Sequence, residues 1–388
     1  MHASNTILSV SHLQIAFGGP DAFTAVKDIS FRLERGKTLA IVGESGSGKS
    51  LTALALTGLL PHTAALKGNI ELTFANKNVP LQHITDNKDW ESIRGKEVGM
   101  VFQEPMSSLN PVMTIGAQLV ESITTHKHLS KKEAKHIALD WLVKVQLPEP
   151  ETLLGRYPHQ LSGGQKQRVM IAMAMCNHPV LLIADEPTTA LDVTVQQEIV
   201  KLMHSLLQGN TSMIFITHDL SLAATLADDV LVMCKGEVME YGTAEQVLRS
   251  PKNPYTQALV ACRPSGEQRG YKLPIVSDFL DVDTSKTMEQ ITHVPLPSST
   301  IGDEVLLQVN GLRVWFSGNK PMFGKAVEDF KAVDDVSFNL YKGEILGLVG
   351  ESGCGKSTLS RSLMGLIPIH SGQVLFNGTD LATLQPKD

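Results

Sequence analysis

The sequence predicts an α/β fold built around a parallel β-sheet, and three observations support this. A short apolar run, TLAIV at Thr38–Val42, leads into a glycine-rich loop and then into a second apolar stretch, which is typical of a strand–loop–helix unit. Another apolar run, LLIADE at residues 181–186, predicts a strand buried on both faces that ends in two carboxylates. The chain also repeats itself, because residues 25–50 recur at 332–357.

Composition sets the broad class of the protein. A chain of 388 residues predicts two or three domains at about 150 residues each, and 42% hydrophobic residues supply a packed core. The net charge of −6 argues against a coat protein that binds nucleic acid by neutralising phosphates. Four cysteines without CxxC spacing indicate a reducing compartment.

Targeting signals are not expected from the sequence. The longest apolar run is the eight residues 169–176, whereas a transmembrane helix needs about 20. The first ten residues lack a basic segment followed by an apolar one, so we expect neither a membrane span nor a secretory signal.

The repeat predicts a duplicated domain. Its copies align without gaps at an offset of 307, with 16 identities in 26 positions. We expect a complete domain at 1–250, a docking tail and proline-rich linker at 251–304, and the opening part of a second, truncated domain at 305–388. Because a loop-bearing strand without parallel neighbours leaves sheet edges unpaired, we expect 305–388 to be marginal or partly unfolded in isolation.

The glycine-rich loop, GESGSGKS, matches the phosphate-binding pattern G-x-x-x-x-G-K-[ST]. Its backbone amides can surround phosphate oxygens at the start of a helix, which we predict over LTALALTGLL at 51–60. The lysine should reach the β- and γ-phosphates of a nucleoside triphosphate, and the serine after it should ligate Mg²⁺. A chance glycine-rich turn is the alternative, but the motif recurs within the repeat. The predicted nucleotide-binding residues are Gly43, Glu44, Ser45, Gly46, Ser47, Gly48, Lys49 and Ser50.

Two further motifs extend this site. Asp185 is placed to hold Mg²⁺, through water, and Glu186 to act on the attacking water as general base; a solvated acidic turn is the alternative. The segment LSGGQ at 161–165 precedes a helical stretch and offers a second phosphate cradle. This motif is weak alone, but its position 23 residues before Asp185 gives it weight.

LSGGQ followed by LLIADEP resembles the ATPase domain of ATP-binding cassette (ABC) proteins, and the resemblance covers one whole domain. It implies a RecA-like parallel-sheet core with an antiparallel β subdomain and a helical subdomain. It also implies that two such domains pair head to tail. Each ATP then lies between the phosphate loop of one domain and the LSGGQ segment, called the signature, of the other. The implied signature residues are Ser162, Gly163, Gly164 and Gln165.

The resemblance assigns roles to single residues. Gln103 in VFQEP matches the loop that senses the γ-phosphate, ligates Mg²⁺ and contacts the membrane partner. Asp192, at the end of 190–192, matches the loop at the dimer interface, and His218 in FITHD matches the switch histidine. Phe17 stands where the family places an aromatic under adenine, although an ordinary core residue is the alternative. The second copy supplies the corresponding ATP-binding residues Gly350, Gly353, Gly355, Lys356 and Ser357.

Longer segments resemble one subgroup. VFQEPMSSLNPVMTIGAQL, YPHQLSGGQKQRVMIAMA and the tail SPKNPYTQALVACRPSG are similar to the ATPase subunits of bacterial dipeptide, oligopeptide and nickel importers. The two-copy layout is similar to the fused ATPases of glutathione and microcin C uptake. The implied partners are transmembrane permease subunits, a second ABC domain and, indirectly, an extracytoplasmic solute-binding protein, with no nucleic acid. The implied location is the cytoplasmic face of the bacterial inner membrane.

Other function classes remain open. A soluble tandem ABC ATPase acting on ribosomes or RNA typically carries a long charged helical linker, unlike the proline-rich linker here. DNA-repair or chromosome ATPases need zinc modules or coiled coils, and neither CxxC pairs nor sustained heptads occur. An inactive fragment of a longer ATPase is compatible with the importer hypothesis.

Overall fold

The chain forms two compact units, Met1–Val294 and Pro295–Asp388. The computed structural model describes residues 5–18, 23–75, 77–104, 108–189, 191–207, 211–263, 271–280, 294–296, 302–316, 329–351 and 353–381. Most of the predicted linker lies outside these residues.

A six-stranded sheet forms the centre of the first unit. Its strands are β3 (Thr38–Val42), β6 (Val98–Val101), β7 (Leu181–Asp185), β8 (Ser212–Thr217), β9 (Asp229–Cys234) and β10 (Glu237–Thr243). Their order is β10-β9-β3-β8-β7-β6, and all but β10 run parallel. Every residue of β3, β7 and β8 is buried, which explains why these strands are continuous apolar runs in the sequence.

A second, antiparallel sheet packs in the same unit. It contains β1 (Thr6–Phe17), β2 (Phe23–Glu34), β4 (Ala64–Phe74) and β5 (Lys77–Pro80), in the order β2-β1-β4-β5. A 3₁₀ turn at Leu81–His83 and the short helix α2 (Asn87–Glu91) follow it. One core cluster joins this sheet to β3 and to helix α1 (Lys49–Leu56), which carries the end of the phosphate loop.

Helices cover the remaining faces of the parallel sheet. They are α3 (Ile115–Thr124), α4 (Lys131–Lys144), α5 (Pro150–Leu153), α6 (Gly163–Met175), α7 (Val193–Leu206), α8 (Leu220–Leu226) and α9 (Ala244–Arg249), with a 3₁₀ turn at Pro158–Gln160. A second core cluster packs Trp141 and Ile171 of these helices with Phe215 of β8. The predicted fold class, with its parallel core, antiparallel sheet and helical region, is confirmed. None of the described helices combines the length and apolar character that a membrane span requires.

The predicted docking tail packs against the back of the central sheet. The tail, residues 250–266, contains α10 (Pro254–Ala261), and α11 (Val276–Leu280) follows in the predicted linker. Tyr255 shares a core cluster with Ala40, Val42, Val230 and Val232 of β3 and β9. The tail is therefore in contact with the strand that leads into the phosphate loop.

The helix predicted at 51–60 is shorter than expected. Helix α1 begins at Lys49 and ends at Leu56. Gly58 has φ of +60°, and a Cβ there would lie 2.2 Å from the Trp90 ring. The prediction was wrong over its last turn because the chain reverses here to let the indole pack.

The second unit repeats the antiparallel part of the first. Strands β11 (Val305–Phe316), β12 (Phe330–Tyr341), β13 (Ser371–Phe376) and β14 (Thr379–Asp380) form a sheet in the order β12-β11-β13-β14, beside helix α12 (Lys356–Leu363). Residues 345–349, the counterpart of β3 at the offset of 307, form no strand. Ile345 and Val349 are 96% and 88% exposed, because the described residues of this unit provide no parallel neighbours.

Candidate nucleotide site

The phosphate loop leaves the carboxyl end of β3 in a conformation that requires glycine. Gly43 has φ of +150°, and a Cβ there would lie 2.1 Å from the carbonyl oxygen of Met233. Gly46 and Gly48 have φ of +80° and +101°. Glu44, Ser45 and Gly46 are exposed at the turn of the loop, while Ser47 is buried and its carbonyl accepts a bond from Gly236.

Helix α1 begins at the end of this phosphate loop, at Lys49. Gly48 is its cap residue in the left-handed region, and no side chain caps the helix. The first amides of a helix need acceptors and lie at the positive end of its dipole. The start of α1 is therefore suited to phosphate oxygens.

Lys49 fills the loop with its own ammonium group. Its Nζ donates to the carbonyl oxygens of Gly43 at 2.9 Å and Glu44 at 2.8 Å, and lies 3.4 Å from Ser47 Oγ. The residue is only 4% exposed, and burial lowers the pKa of its ammonium group against the opposing charges of nearby carboxylates. A buried ammonium group held mainly by carbonyl oxygens can exchange these neutral acceptors for those of an anion, which form stronger hydrogen bonds with it.

Ser50 and Asp185 meet beside the loop. Ser50 Oγ donates to Asp185 Oδ1 at 3.0 Å, and Asp185 is 5% exposed at the end of β7. Burial raises the pKa of this carboxyl group, Glu186 adds to the rise, and the Ser50 bond and Lys49 oppose it. A hydroxyl beside a poorly solvated carboxylate provides the hard oxygen donors that Mg²⁺ prefers.

Glu186 lies at the centre of a group of polar side chains. Its Oε2 accepts hydrogen bonds from Gln103 Nε2 at 3.2 Å and from Thr189 Oγ1 at 2.9 Å, and lies 3.3 Å from His218 Nδ1. The backbone of Glu186 has φ of +44°, and its amide donates to the carbonyl of Ile216. A non-glycine residue held in the left-handed region indicates that the site fixes the direction of this side chain.

The predicted signature residues lie in a separate group. Ser162 caps helix α6 and forms a reciprocal capping box with Gln165. Positions 163 and 164 approach the segment after Glu186: a Cβ at Gly163 would lie 3.5 Å from Leu191, and one at Gly164 would lie 2.9 Å from Val195. Asp192 caps helix α7 by accepting from the Val195 amide, and Ala190 lies outside the described residues.

Phe17 ends β1 and is half-buried. It packs against the core cluster of the antiparallel sheet, and its cross-strand partners are Phe23 and Ala64. Both alternatives of the sequence prediction, a core residue and an aromatic under adenine, are compatible with this position.

The glycines of the second phosphate loop have φ angles close to those of the first. Gly350, Gly353 and Gly355 have φ of +153°, +83° and +97°. Lys356 Nζ donates to the carbonyls of Gly350 at 2.7 Å and Glu351 at 2.6 Å, and lies 3.6 Å from Cys354 Sγ. Ser357 follows in the first turn of α12 and is exposed.

Three contributors to the first site were not predicted from the sequence. Thr189 bonds to Glu186, the Met233 carbonyl packs on Gly43, and the Tyr255 hydroxyl donates to Glu44 Oε2 at 3.2 Å. Thr189 lies three residues after Glu186, so its proximity was a usable signal. The other two contacts join positions far apart in the chain, and no local pattern could indicate them.

Comparison with known proteins identifies the family. The sequence profile described as ABC transporter matches residues 26–189 and 333–388. The chain belongs to the ABC transporter family. Its two matched segments begin one residue inside the two copies of the repeat, at residues 26 and 333.

Individual relatives agree with this assignment. The glutathione import ATP-binding protein GsiA of Salmonella choleraesuis strain SC-B67 is 46% identical over 388 residues, and that of Escherichia coli strain K12 is 44% identical over 390 residues. These alignments cover 98% and 99% of this chain but 62% of each relative, so the chain spans about three fifths of the length of those proteins.

Solved structures of ABC cassettes share the fold. A dimeric post-hydrolysis state of the cassette MJ0796 bound to ADP and Pi has a TM-score of 0.54 and 27% identity, covering 61% of this chain and 99% of that one. CbiO1 from Clostridium perfringens, part of the transporter complex CbiONQ, has a TM-score of 0.53 and 29% identity, with coverages of 64% and 92%.

Proposed function

We propose that this chain binds ATP and hydrolyses it to power import of a small solute, such as a peptide, through separate membrane permease subunits. The observation that carries the proposal is the pairing of two groups in one unit: a lysine-filled phosphate loop beside Ser50 and Asp185, and a carboxylate surrounded by Gln103, Thr189 and His218. The first suits the phosphates, and the second suits the attacking water.

The phosphate loop binds the β- and γ-phosphates. Incoming phosphate oxygens replace the carbonyl acceptors of Lys49 and the solvent at the start of α1. Because Lys49 is buried, its charge acts on the phosphates with little screening by water.

Mg²⁺ fits the oxygen donors of Ser50 and Asp185, with Gln103 as the third proposed ligand. When bound, this ion neutralises charge on the phosphates. In the structure the Gln103 amide nitrogen donates to Glu186, so this side chain joins the proposed metal ligands to the proposed base.

Glu186 accepts a proton from the water that attacks the γ-phosphorus. The hydrogen bonds from Gln103 and Thr189 fix Glu186 Oε2. His218, whose side chain is 62% exposed, lies 3.3 Å from the same oxygen. The reaction yields ADP and phosphate. Most of the rate enhancement comes from positioning and charge stabilisation, as in other phosphoryl transfers.

The partners follow from the same site. In a head-to-tail pair, the LSGGQ segment at the start of helix α6 faces the ATP that is held by the phosphate loop of a second ABC domain. A groove of about 260 Å³, whose lining includes Phe102, Met170, Met173 and the charged Arg94, lies next in sequence to Gln103 and suits a permease segment. The chain then works at the cytoplasmic face of the membrane, and an extracytoplasmic binding protein presents the solute.

The solute class rests on the relatives. Those with 44–46% identity are named glutathione import ATP-binding proteins, and glutathione is a small peptide. A peptide or a similar small solute is therefore the proposed cargo of the complete transporter.

Glu186→Gln tests the hydrolytic role. The variant should bind ATP with near-normal affinity and lose turnover about a hundredfold or more, because the amide cannot accept the proton of water. Glu237→Gln is the matched control, since Glu237 pairs with Lys27 on the surface. Phosphate release and binding of a fluorescent ATP analogue give the two readouts. Turnover in Glu186→Gln within threefold of wild type would contradict the assignment.

A further inference from the structure

The docking tail places a buried tyrosine against the phosphate loop. Tyr255 is 4% exposed, and its hydroxyl donates to Glu44 Oε2 at 3.2 Å. Asn253 fixes the start of its helix, because its side chain accepts from the Tyr255 amide at 2.8 Å and donates to the Met239 carbonyl at 2.9 Å. The aromatic ring packs in the core cluster behind β3. The hydroxyl is therefore held at a fixed point relative to the loop.

Glu44 acts on the lysine of the loop in two ways. Its carbonyl oxygen accepts from Lys49 Nζ at 2.8 Å. Its carboxylate is close enough to raise the pKa of Lys49, although burial has the larger, opposite effect. With Glu186 and Asp185, this carboxylate is one of three anions that act on the cation that must meet phosphate, so its direction affects how well nucleotide binds.

The second unit shows that the loop backbone does not depend on such a tyrosine. Its lysine, Lys356, uses the matching acceptors, the carbonyls of Gly350 and Glu351. The only tyrosine between residues 295 and 388 is Tyr341. The backbone amide of Tyr341 bonds to Glu344. Among the residues described there, no tyrosine hydroxyl contacts Glu351. The tyrosine of the first unit therefore acts on the side chain of Glu44 rather than on the shape of the loop.

We propose that Tyr255 is a positioning residue that strengthens nucleotide binding by holding the Glu44 carboxylate on the tail side of the loop, away from Lys49 and the incoming phosphates. This inference rests on the proposed function, in which the loop binds ATP. Tyr255 touches neither the nucleotide nor the water in this scheme. It therefore stabilises the ground state and the transition state equally and affects binding rather than chemistry.

The first test is Tyr255→Phe in the full chain. Without the hydroxyl, the carboxylate can turn toward Lys49 and compete with phosphate. Affinity for ADP and for ATP should fall about threefold to tenfold, a modest loss because Glu44 is exposed to solvent. KM should rise by a similar factor while kcat stays unchanged. The matched control is Tyr241→Phe, which removes a hydroxyl that donates to the Arg32 carbonyl at 2.9 Å. Its affinity should equal that of wild type.

Changes at Glu44 separate positioning from a merely structural role. Glu44→Gln removes the charge, so adding Tyr255→Phe to it should cause little further loss of affinity. Glu44→Asp keeps the charge but shortens the side chain away from the hydroxyl, so it should weaken binding as Tyr255→Phe does. Glu44→Asp leaves the packing of the tail intact and gives an answer even if Tyr255→Phe does not fold.

The outcomes are distinct. Equal affinity in wild type, Tyr255→Phe and Glu44→Asp would overturn the inference. An equal loss from Tyr255→Phe in the wild-type and Glu44→Gln backgrounds would also overturn it, because the tyrosine would then act through packing alone. A wild-type chain that binds no ADP or ATP would instead overturn the proposed function on which the inference rests.

Discussion

At the scale of single residues, the first site holds its charged groups partly desolvated and pairs them with neutral partners. Lys49 is bonded by carbonyl oxygens and Asp185 by the Ser50 hydroxyl. Burial lowers the pKa of Lys49 and raises that of Asp185. In both residues the charged form is therefore less stable in the folded chain than in the unfolded chain, a strain that ligand binding can relieve.

Asp185→Asn should stabilise the protein without nucleotide and impair it with nucleotide. The raised pKa means that ionised Asp185 lowers the free energy of unfolding, and this cost is fully present above the folded-state pKa. Asparagine removes the charge and keeps an acceptor for Ser50. The free energy of unfolding at pH 7 should therefore rise by about 1 kcal/mol, and Tm by a few degrees. Hydrolysis should fall because a proposed Mg²⁺ ligand loses its charge.

The pH dependence checks the cause of this change. As the pH falls through the raised pKa, wild-type Asp185 takes up a proton and the Tm difference between the two proteins should shrink. Differential scanning fluorimetry at pH 7 and near pH 4–5, the range of ordinary carboxyl titration, measures it. A lower Tm of Asp185→Asn at pH 7 would show that the Ser50 hydrogen bond to the carboxylate outweighs its desolvation.

At the scale of elements, the phosphate loop depends on how closely β9 approaches it. Gly43 packs against the carbonyl of Met233 at the end of that strand, whereas Gly46 has open space where its Cβ would lie. Both glycines have positive φ, +150° at Gly43 and +80° at Gly46, and only Gly43 also has a close steric contact.

Gly43→Ala should destabilise the chain more than Gly46→Ala. An alanine at either position pays for positive φ, about 1–3 kcal/mol, and at position 43 its Cβ also meets backbone that cannot rotate away. Urea unfolding of the nucleotide-free chain measures both changes. Equal losses of unfolding free energy would indicate that β9 shifts to accept the methyl group.

The apolar runs show which strands could be predicted from the sequence. TLAIV and LLIAD are apolar runs, and both form the strands that were expected, Thr38–Val42 and Leu181–Asp185. The aligned run ILGLV at 345–349 is as apolar, yet it forms no strand, because a parallel strand depends on its neighbours rather than on its own residues. Similarly, nothing near Glu44 or Gly58 in the sequence indicated Tyr255 or Trp90 as their partners.

Hydrogen exchange should differ sharply between the aligned segments Thr38–Val42 and 345–349. Thr38–Val42 is paired on both sides, by β8 and β9, so its amides should exchange at least about a hundredfold more slowly than those of 345–349. Mass spectrometry of peptic fragments from the full chain measures both segments in one sample. Similar protection at 345–349 would show that another segment pairs with it in solution.

At the scale of the whole molecule, the chain carries two phosphate loops with matching backbone angles. The motifs that complete the chemistry, LSGGQ, LLIADE and FITHD, all lie in the first unit. In the proposed head-to-tail pairing, two first units from separate chains would supply these motifs to two composite sites. The residues themselves predicted the roles of Asp185, Glu186 and LSGGQ, and the family resemblance added those of Gln103 and His218. The structure adds the convergence of Gln103, Thr189 and His218 on one carboxylate.

The most direct test of this account measures ATP turnover per chain as the concentration of the full chain is raised, with Glu186→Gln as the blank. If hydrolysis needs the signature of one chain over the phosphate loop of another, specific activity should rise with concentration and then level off, and the blank should stay near zero. Specific activity that stays constant from nanomolar to micromolar chain would contradict the head-to-tail composite site.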